Sequence, residues 1–256
     1  TSLEIRPMIK HYRIHEVSGY IDWIYLFHAW GFSPRKTQTP EAMQLLQEAK
    51  EMLELLDKNF QTHAVLRLMD ANSEENDIWI EGTRFPFLRQ QTAKEEEPYL
   101  CLSDFIRPSS SKITDKIGLF ATTVDAEMEQ LYTEDPYLHM LVKTLADRLA
   151  EATAEKTHDT IRKEFQGIRP AVGYPSLPDQ SVNFLLDELL DMKRIGIQLT
   201  ENGMMQPHAS VSGLIFTHPA SRYFSVGKID EQQLKDYAIR RGLPIGQMRK
   251  FLARNL

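Results

Sequence analysis

The sequence contains a single cysteine, Cys101, among its 256 residues. One thiol excludes an intrachain disulfide framework and any metal or iron–sulfur centre held by several thiolates. So little cysteine is typical of a reducing compartment, and we expect a cytoplasmic protein. Long apolar runs are missing too, because the longest candidate, 19–30, is interrupted by Asp22 and His28. No segment approaches the ~20 apolar residues that span a bilayer, so we expect no membrane partner.

Basic charge is scarce as well: Lys and Arg number 30 against 36 Asp and Glu, which gives a net charge of −6. Nucleic-acid binding needs a basic face that neutralises phosphates, so this balance argues against a nucleic-acid partner. The motifs of phosphate loops, dinucleotide folds, zinc peptidases and serine hydrolases are absent. His11 and His15 have the spacing of a metal site on a helix, but their neighbours suit a strand equally well. We therefore predict surface or structural histidines, no bound metal and no catalytic side chain.

Periodicity and turn residues predict the secondary structure. Apolar residues recur at helical spacing, with Pro, Asp or Thr at the starts, in segments 40–56, 136–165, 178–195, 230–241 and from 244 onward. Apolar and β-branched residues predict strands at 64–68, 77–81, 117–124, 197–200, 203–206, 211–217 and 222–229. The last two strands are joined by a hairpin-like connection at 218–221. Because strands follow one another without crossover helices, we predict an α+β fold with a bent, mainly antiparallel sheet and packed helices.

The segment Gln166–Asp179 is the densest chemical feature of the chain. Three prolines and two glycines surround Arg169 there, so the loop is stiff yet allows close backbone approach. A guanidinium on a rigid loop can bind a carboxylate bidentately. A structural crossover that carries a surface arginine is the alternative.

Two other segments carry features that need a partner. Asp22 lies in an apolar and aromatic run, where a buried acid requires a hydrogen bond or a counterion. A contact with a ligand and a helix N-cap both satisfy this requirement. In Gly203–Tyr223, the small residues at 209, 210, 212 and 213 leave room for a ligand or for a neighbouring backbone.

Together, in this order, these segments resemble the activation domain of cobalamin-dependent methionine synthase. The RxxxGY motif of that family is matched by Arg169–Tyr174, and its Asp-Trp pair by Asp22-Trp23. Its ASVSG segment is matched by Ala209–Gly213, which is followed by an HP turn at His218-Pro219 and by Tyr223. The resemblance covers residues 18–256 as one activation-like domain. Residues 1–17 form an N-terminal extension of uncertain role.

The resemblance implies a single C-shaped domain that binds S-adenosylmethionine. It implies ligand contacts at Asp22, Glu151, Arg169, Ala171, Tyr223 and Phe224, and a cobalamin-facing lip at Gly173 and Tyr174. Arg169 would hold the methionyl carboxylate, while Asp22 and Glu151 would take the amine and the ribose in an order that the sequence leaves open.

The same resemblance implies a reaction and its partners. A cobalamin-binding domain, in the same or a separate chain, would carry the cobalamin. A flavodoxin-like or other electron donor would reduce inert cob(II)alamin, and the methyl group of S-adenosylmethionine would restore methylcobalamin. The alternative is a stand-alone module that binds S-adenosylmethionine or a corrinoid protein without methyl transfer.

Overall fold

A computed structural model describes residues 7–93 and 96–256. Its strands are β1 (Met8–Arg13), β2 (Gln61–Glu74), β3 (Asp77–Ile80), β4 (Thr83–Pro86), β5 (Asp115–Val124), β6 (Gln198–Leu199), β7 (Met205–Gln206) and β8 (Ser210–Phe216). Within the described residues, the main sheet has the order β4-β3-β2-β5-β8, and β1 also pairs with β2. A separate ribbon consists of β6 and β7. The pairings between these strands are antiparallel. Of the expected N-terminal extension, residues 1–6 lie outside the described part.

The helices are α1 (Ile14–Val17), α2 (Trp23–Ala29), α3 (Pro40–Leu56), α4 (Pro136–Asp159), α5 (Val182–Leu190), α6 (Glu231–Arg241) and α7 (Ile245–Phe251). Two of them begin where local capping signals predict. Thr39 accepts a hydrogen bond from the Ala42 amide at α3, and Asp230 accepts one from the Gln233 amide at α6. Among residues 7–93 and 96–256, no helix has the length and apolar composition needed to cross a membrane.

Helices cover both faces of the main sheet. Successive side chains of a strand point to opposite faces, and apolar side chains on each face pack against a helix. On one face Leu66 and Phe120 pack with Ala150 of α4. On the other face Val65 belongs to a cluster that includes Leu186 of α5. The predicted combination of an antiparallel sheet with packed helices is confirmed.

The predicted strand at 222–229, and with it the C-terminal hairpin, is wrong. That segment belongs to neither sheet. The edge of β8 is occupied instead by Gly167–Val172, which runs antiparallel beside it. The Gly167 amide donates to the Phe216 carbonyl at 3.0 Å, and the Val172 amide donates to the Ser212 carbonyl at 2.9 Å. This pairing uses the backbone groups that a hairpin would need, and it fixes the loop that carries Arg169.

Three further boundaries differ from the prediction for local reasons. β2 continues without a break to Glu74, well beyond the predicted strand 64–68, because it pairs with β3 through this region. α5 begins at Val182, since the Asp179 side chain accepts from the Ser181 amide and hydroxyl and holds a turn there. α4 ends at Asp159 rather than near 165, because the chain must reverse before Gly167 can reach β8.

Gly213 allows the Arg169 loop to lie against β8. A Cβ at this position would be 2.2 Å from the Pro170 carbonyl oxygen and 2.9 Å from the Ala171 Cα. We expect Gly213→Ala to lower the free energy of unfolding by about 1–3 kcal/mol, as overpacking does, and to displace the loop. Urea unfolding measures the change. Gly246→Ala is the control, because a Cβ there meets nothing within 4 Å; equal stability of the two variants would contradict the expectation.

Candidate functional site

Two adjoining cavities open between α2, α4 and the Arg169 loop. The first has a volume of about 320 Å³ and the second about 540 Å³. Both are lined by Tyr25, Glu151, Arg169 and Tyr174. The first adds the polar or charged side chains of Tyr20, Asp22, Arg148 and Glu155, beside Ala152. The second adds a mostly apolar wall made by Pro170, Ala171, Pro175, Ser176, Tyr223, Phe224 and Ser225.

The structure brings all the site residues predicted from the sequence, except Gly173, to these two cavities. Asp22 lies in the first cavity, while Ala171, Tyr223 and Phe224 lie in the second. Glu151, Arg169 and Tyr174 line both. Gly173 lies just outside, in a larger depression of about 660 Å³ that Tyr174 also borders. The Gly173–Pro175 turn is therefore a ridge between this depression and the paired cavities.

Arg169 is held by both its backbone and its side chain. Its amide donates to the Tyr223 hydroxyl at 3.0 Å, and its Nη2 donates to Glu155 Oε2 at 3.0 Å. The guanidinium carbon lies 5.4 Å from the centroid of the Phe120 ring. The side chain is only 12% exposed. This arginine is therefore a fixed positive group in the wall of the cavities, and a freely moving surface arginine is excluded.

Glu155 is a carboxylate at neutral pH. Desolvation by burial raises the pKa of Glu155, but the hydrogen bond from Arg169 and the positive charges of Arg169 and Arg162 outweigh it, so the net shift lowers the pKa. Its second oxygen, Oε1, accepts from Arg162 Nη2 at 2.5 Å. Both oxygens of this side chain are thus engaged by guanidinium groups.

Asp22 has a structural role and also faces the first cavity. Its Oδ1 accepts from the Ile24 amide at 3.1 Å and caps the N-terminus of α2. The side chain is exposed. One capping bond does not exhaust the acceptor capacity of a carboxylate, so the cap and a ligand contact are compatible.

Tyr174 is presented by a tight turn at the mouth of the site. Gly173 has a φ of +89°, which favours glycine, and its amide donates to the Leu177 carbonyl at 2.8 Å. The Tyr174 hydroxyl donates to Glu151 Oε1 at 2.6 Å, and the side chain is 51% exposed. The pKa of Tyr174 is raised, mainly by partial burial and to a lesser extent by the hydrogen bond to Glu151. The phenol is therefore a neutral, oriented donor at the rim, and it does not lie in the core.

The adjacent aromatics Tyr223 and Phe224 serve the site differently. The Tyr223 ring is 63% exposed, and its hydroxyl accepts from the Arg169 amide. The Phe224 ring lies 6.3 Å from the ring of Phe105 and packs on the core cluster, while its backbone amide donates to Ser176 Oγ at 3.2 Å. The two side chains diverge although the segment is not a strand.

Several residues that line the cavities were not predicted from the sequence, among them Tyr25 and Glu155. Tyr25 lines both cavities, with the Arg148 guanidinium 4.9 Å from its ring centroid. An aromatic residue in an apolar helix is equally typical of a core position, so the sequence did not indicate that Tyr25 lines the site. The place of Glu155 in the site could have been predicted from the sequence. It lies four residues after Glu151 and therefore on the same face of the helix.

The histidine pair at 11 and 15 is divided between different partners. His11 Nδ1 lies 2.7 Å from His63 Nδ1, whereas His15 Nδ1 lies 2.9 Å from Asp57 Oδ2. In the part of the chain that the structure describes, no group of three or more His, Cys, Asp or Glu is arranged to hold a metal ion.

His158 secures the turn that leads to the Arg169 loop. Its buried ring donates from Nε2 to the Phe165 carbonyl at 2.8 Å. Desolvation, together with the charges of Arg162 and Arg169, lowers the pKa of His158. The unfolded chain therefore binds a proton at higher pH than the folded chain does. The stability that neutral His158 contributes is present above the unfolded pKa and is lost as the pH falls towards the lower folded pKa.

We expect the free energy of unfolding to fall as the pH drops through about 6.5, the ordinary histidine pKa, with His158 contributing at most about 1.4 kcal/mol per pH unit. In His158→Gln this contribution should disappear, because the amide keeps a donor for Phe165 but does not titrate. Urea unfolding at several pH values measures both slopes. Identical slopes in the two proteins would show that His158 is not the titrating group.

The fold and the paired cavities define a domain with a cleft of the size that small-molecule sites have. A family model for the activation domain of vitamin B12 dependent methionine synthase matches residues 13–242, and the chain belongs to this family. Among solved structures, the chain is similar to a crystal structure of the MetH reactivation domain bound to AdoHcy. The TM-score is 0.89 and the identity 35%, over 100% of this chain and 91% of that one. The family inferred from the sequence is confirmed.

Proposed function

We propose that this domain binds S-adenosylmethionine and supplies its methyl group for the reductive reactivation of cob(II)alamin to methylcobalamin in cobalamin-dependent methionine synthase. The observation that carries the proposal is the convergence of Asp22, Glu151, Arg169 and Tyr223, far apart in sequence, on one pair of cavities. The similar MetH domain was solved with AdoHcy, which is the molecule left when S-adenosylmethionine gives up its methyl group.

The contrast between the two cavities supports an orientation for the ligand. The first cavity has charged walls, which suit the amino and carboxylate groups of the methionyl part. The second has an apolar wall with a few backbone and hydroxyl groups, which suits an adenosine. Arg169 takes the carboxylate. The sulfonium then lies where the cavities meet, between Tyr25, Glu151 and Tyr174.

The residues of this chain contribute binding and placement. In the transfer, the methyl carbon–sulfur bond breaks, its electron pair stays on sulfur, and S-adenosylhomocysteine is released. No side chain has to accept or donate a proton in this exchange. Cobalamin, carried by a partner domain, would supply the reduced cobalt that accepts the methyl group. An electron donor such as a flavodoxin-like protein would supply the electron. Holding the sulfonium methyl at an open rim is the catalytic contribution of the domain.

A binding measurement tests the first half of the proposal. S-adenosylmethionine and S-adenosylhomocysteine should each raise the melting temperature of the chain in a concentration-dependent manner, because a ligand that binds only the folded state stabilises it. ATP is the control, since it carries adenosine without the methionyl part. No shift with either sulfur compound, or an equal shift with ATP, would contradict the proposal.

A further inference from the structure

We infer that Glu155 is a positioning residue that orients Arg169 for the carboxylate of the ligand; this inference rests on the proposed function. Glu155 lines the first cavity, yet no motif or comparison assigns it a role. Its importance follows from what it does to Arg169, whose side chain is nearly buried and whose guanidinium carbon lies 5.4 Å from the centroid of the Phe120 ring.

The donors of Arg169 are unequally used. Nη2 is committed to Glu155, and Nε is buried without a hydrogen-bond partner in the described structure. Nη1 donates to no protein atom among the described residues, and it is the nitrogen left for a ligand. Because a guanidinium is planar, fixing Nη2 also fixes the direction of the Nη1 donors. Glu155 thereby decides which way the free donors of Arg169 point.

Glu155 is itself fixed, so it stays in place when a second carboxylate arrives. Arg162 binds its other oxygen at 2.5 Å and also donates from Nε to Asp159 Oδ1 at 3.1 Å. The Tyr20 hydroxyl donates to the second oxygen of Asp159 at 3.2 Å. If Glu155 left Arg169, a nearly buried guanidinium would lose its counterion, which is costly. Each Glu155 oxygen already accepts from a guanidinium, so Glu155 acts on the ligand through Arg169.

The test compares two ligands that differ only in the α-carboxylate: S-adenosylmethionine and decarboxylated S-adenosylmethionine, which keeps the ammonium and the sulfonium. In calorimetric titrations, Glu155→Ala should weaken S-adenosylmethionine binding about tenfold and leave the decarboxylated compound within about twofold of wild type. Glu155→Gln keeps an oxygen that accepts from Nη2, so it should restore most of the lost affinity. Glu164→Ala removes an exposed carboxylate outside this network, so it should change the affinity for neither ligand.

The outcomes separate this inference from its rivals. Equal weakening of both ligands by Glu155→Ala would show a merely structural role and overturn the inference. Stronger binding of S-adenosylmethionine would show that Glu155 competes with the ligand, and failure of Glu155→Gln to restore binding would show that Glu155 contacts the ammonium directly. Either result overturns it. If the wild-type chain binds neither compound, the proposed function itself fails.

Discussion

Arg169→Ala should weaken S-adenosylmethionine binding by about 1.5–3 kcal/mol, roughly ten- to more than a hundredfold, which is the range for a hydrogen bond to a charged group. The reason is geometric and electrostatic. The guanidinium is 12% exposed, is held by Glu155 and Phe120, and lines both cavities. Such a group is already oriented before the ligand arrives, so little entropy is lost when it binds. Isothermal titration calorimetry with the purified chain measures the loss.

Two variants make this result interpretable. Arg169→Lys keeps the positive charge but loses the planar fork, and it should recover only part of the affinity. Arg162→Ala removes the neighbouring guanidinium, which does not line the cavities, and it should cost much less than Arg169→Ala. Unfolding curves of each variant show that the fold persists. Wild-type affinity in Arg169→Ala would remove this residue from the site.

Tyr174→Ala should separate binding from methyl transfer. The ring stands at the rim, half exposed, on the ridge that borders both the ligand cavities and the outer depression. We expect S-adenosylmethionine affinity to change by no more than about threefold, while reductive methylation of a supplied cobalamin domain slows roughly ten- to a hundredfold, because a lost placement contact misaligns the reacting groups. Titration calorimetry and the rate of methylcobalamin formation measure the two effects.

Tyr174→Phe is the matched control, because it keeps the ring and removes only the hydroxyl that donates to Glu151. If the ring meets the corrin, this variant should react at nearly the wild-type rate. A parallel fall of affinity and rate in Tyr174→Ala would show that the residue serves ligand binding and not the approach of the cobalamin. No fall in either would place the cobalamin-facing lip elsewhere.

Local signals in the sequence predicted the elements that depend on local physics. Thr39 and Asp230 cap their helices through side-chain hydrogen bonds to amides three residues ahead, and this pattern is legible in the sequence. The strand predicted at 222–229 does not form, because a segment distant in the sequence pairs with β8 in its place. Gly167–Val172, some fifty residues earlier, occupies the edge of β8. The residues of 222–229 do not indicate that the edge of β8 is already paired with another segment.

The site shows the same division between local and non-local information. The RxxxGY match led to Arg169 and Tyr174, and helix spacing from Glu151 leads to Glu155. The role of Tyr25 depends on its approach to Arg148, which only the packing of α2 against α4 produces. The sequence allowed two roles for Asp22, a helix N-cap and a ligand contact. The structure shows the cap, and the cap does not exclude the ligand contact.

The most direct test of the central claim follows the methyl group itself. The purified chain is mixed with a cobalamin-binding domain of methionine synthase in the cob(II)alamin state, a reductant, and S-adenosylmethionine labelled in its methyl carbon. We predict that label appears on cobalt as methylcobalamin, together with S-adenosylhomocysteine, only when chain, reductant and labelled compound are all present. Tight binding of S-adenosylmethionine without any label on cobalt would contradict the claim and identify a binding module that does not transfer the methyl group.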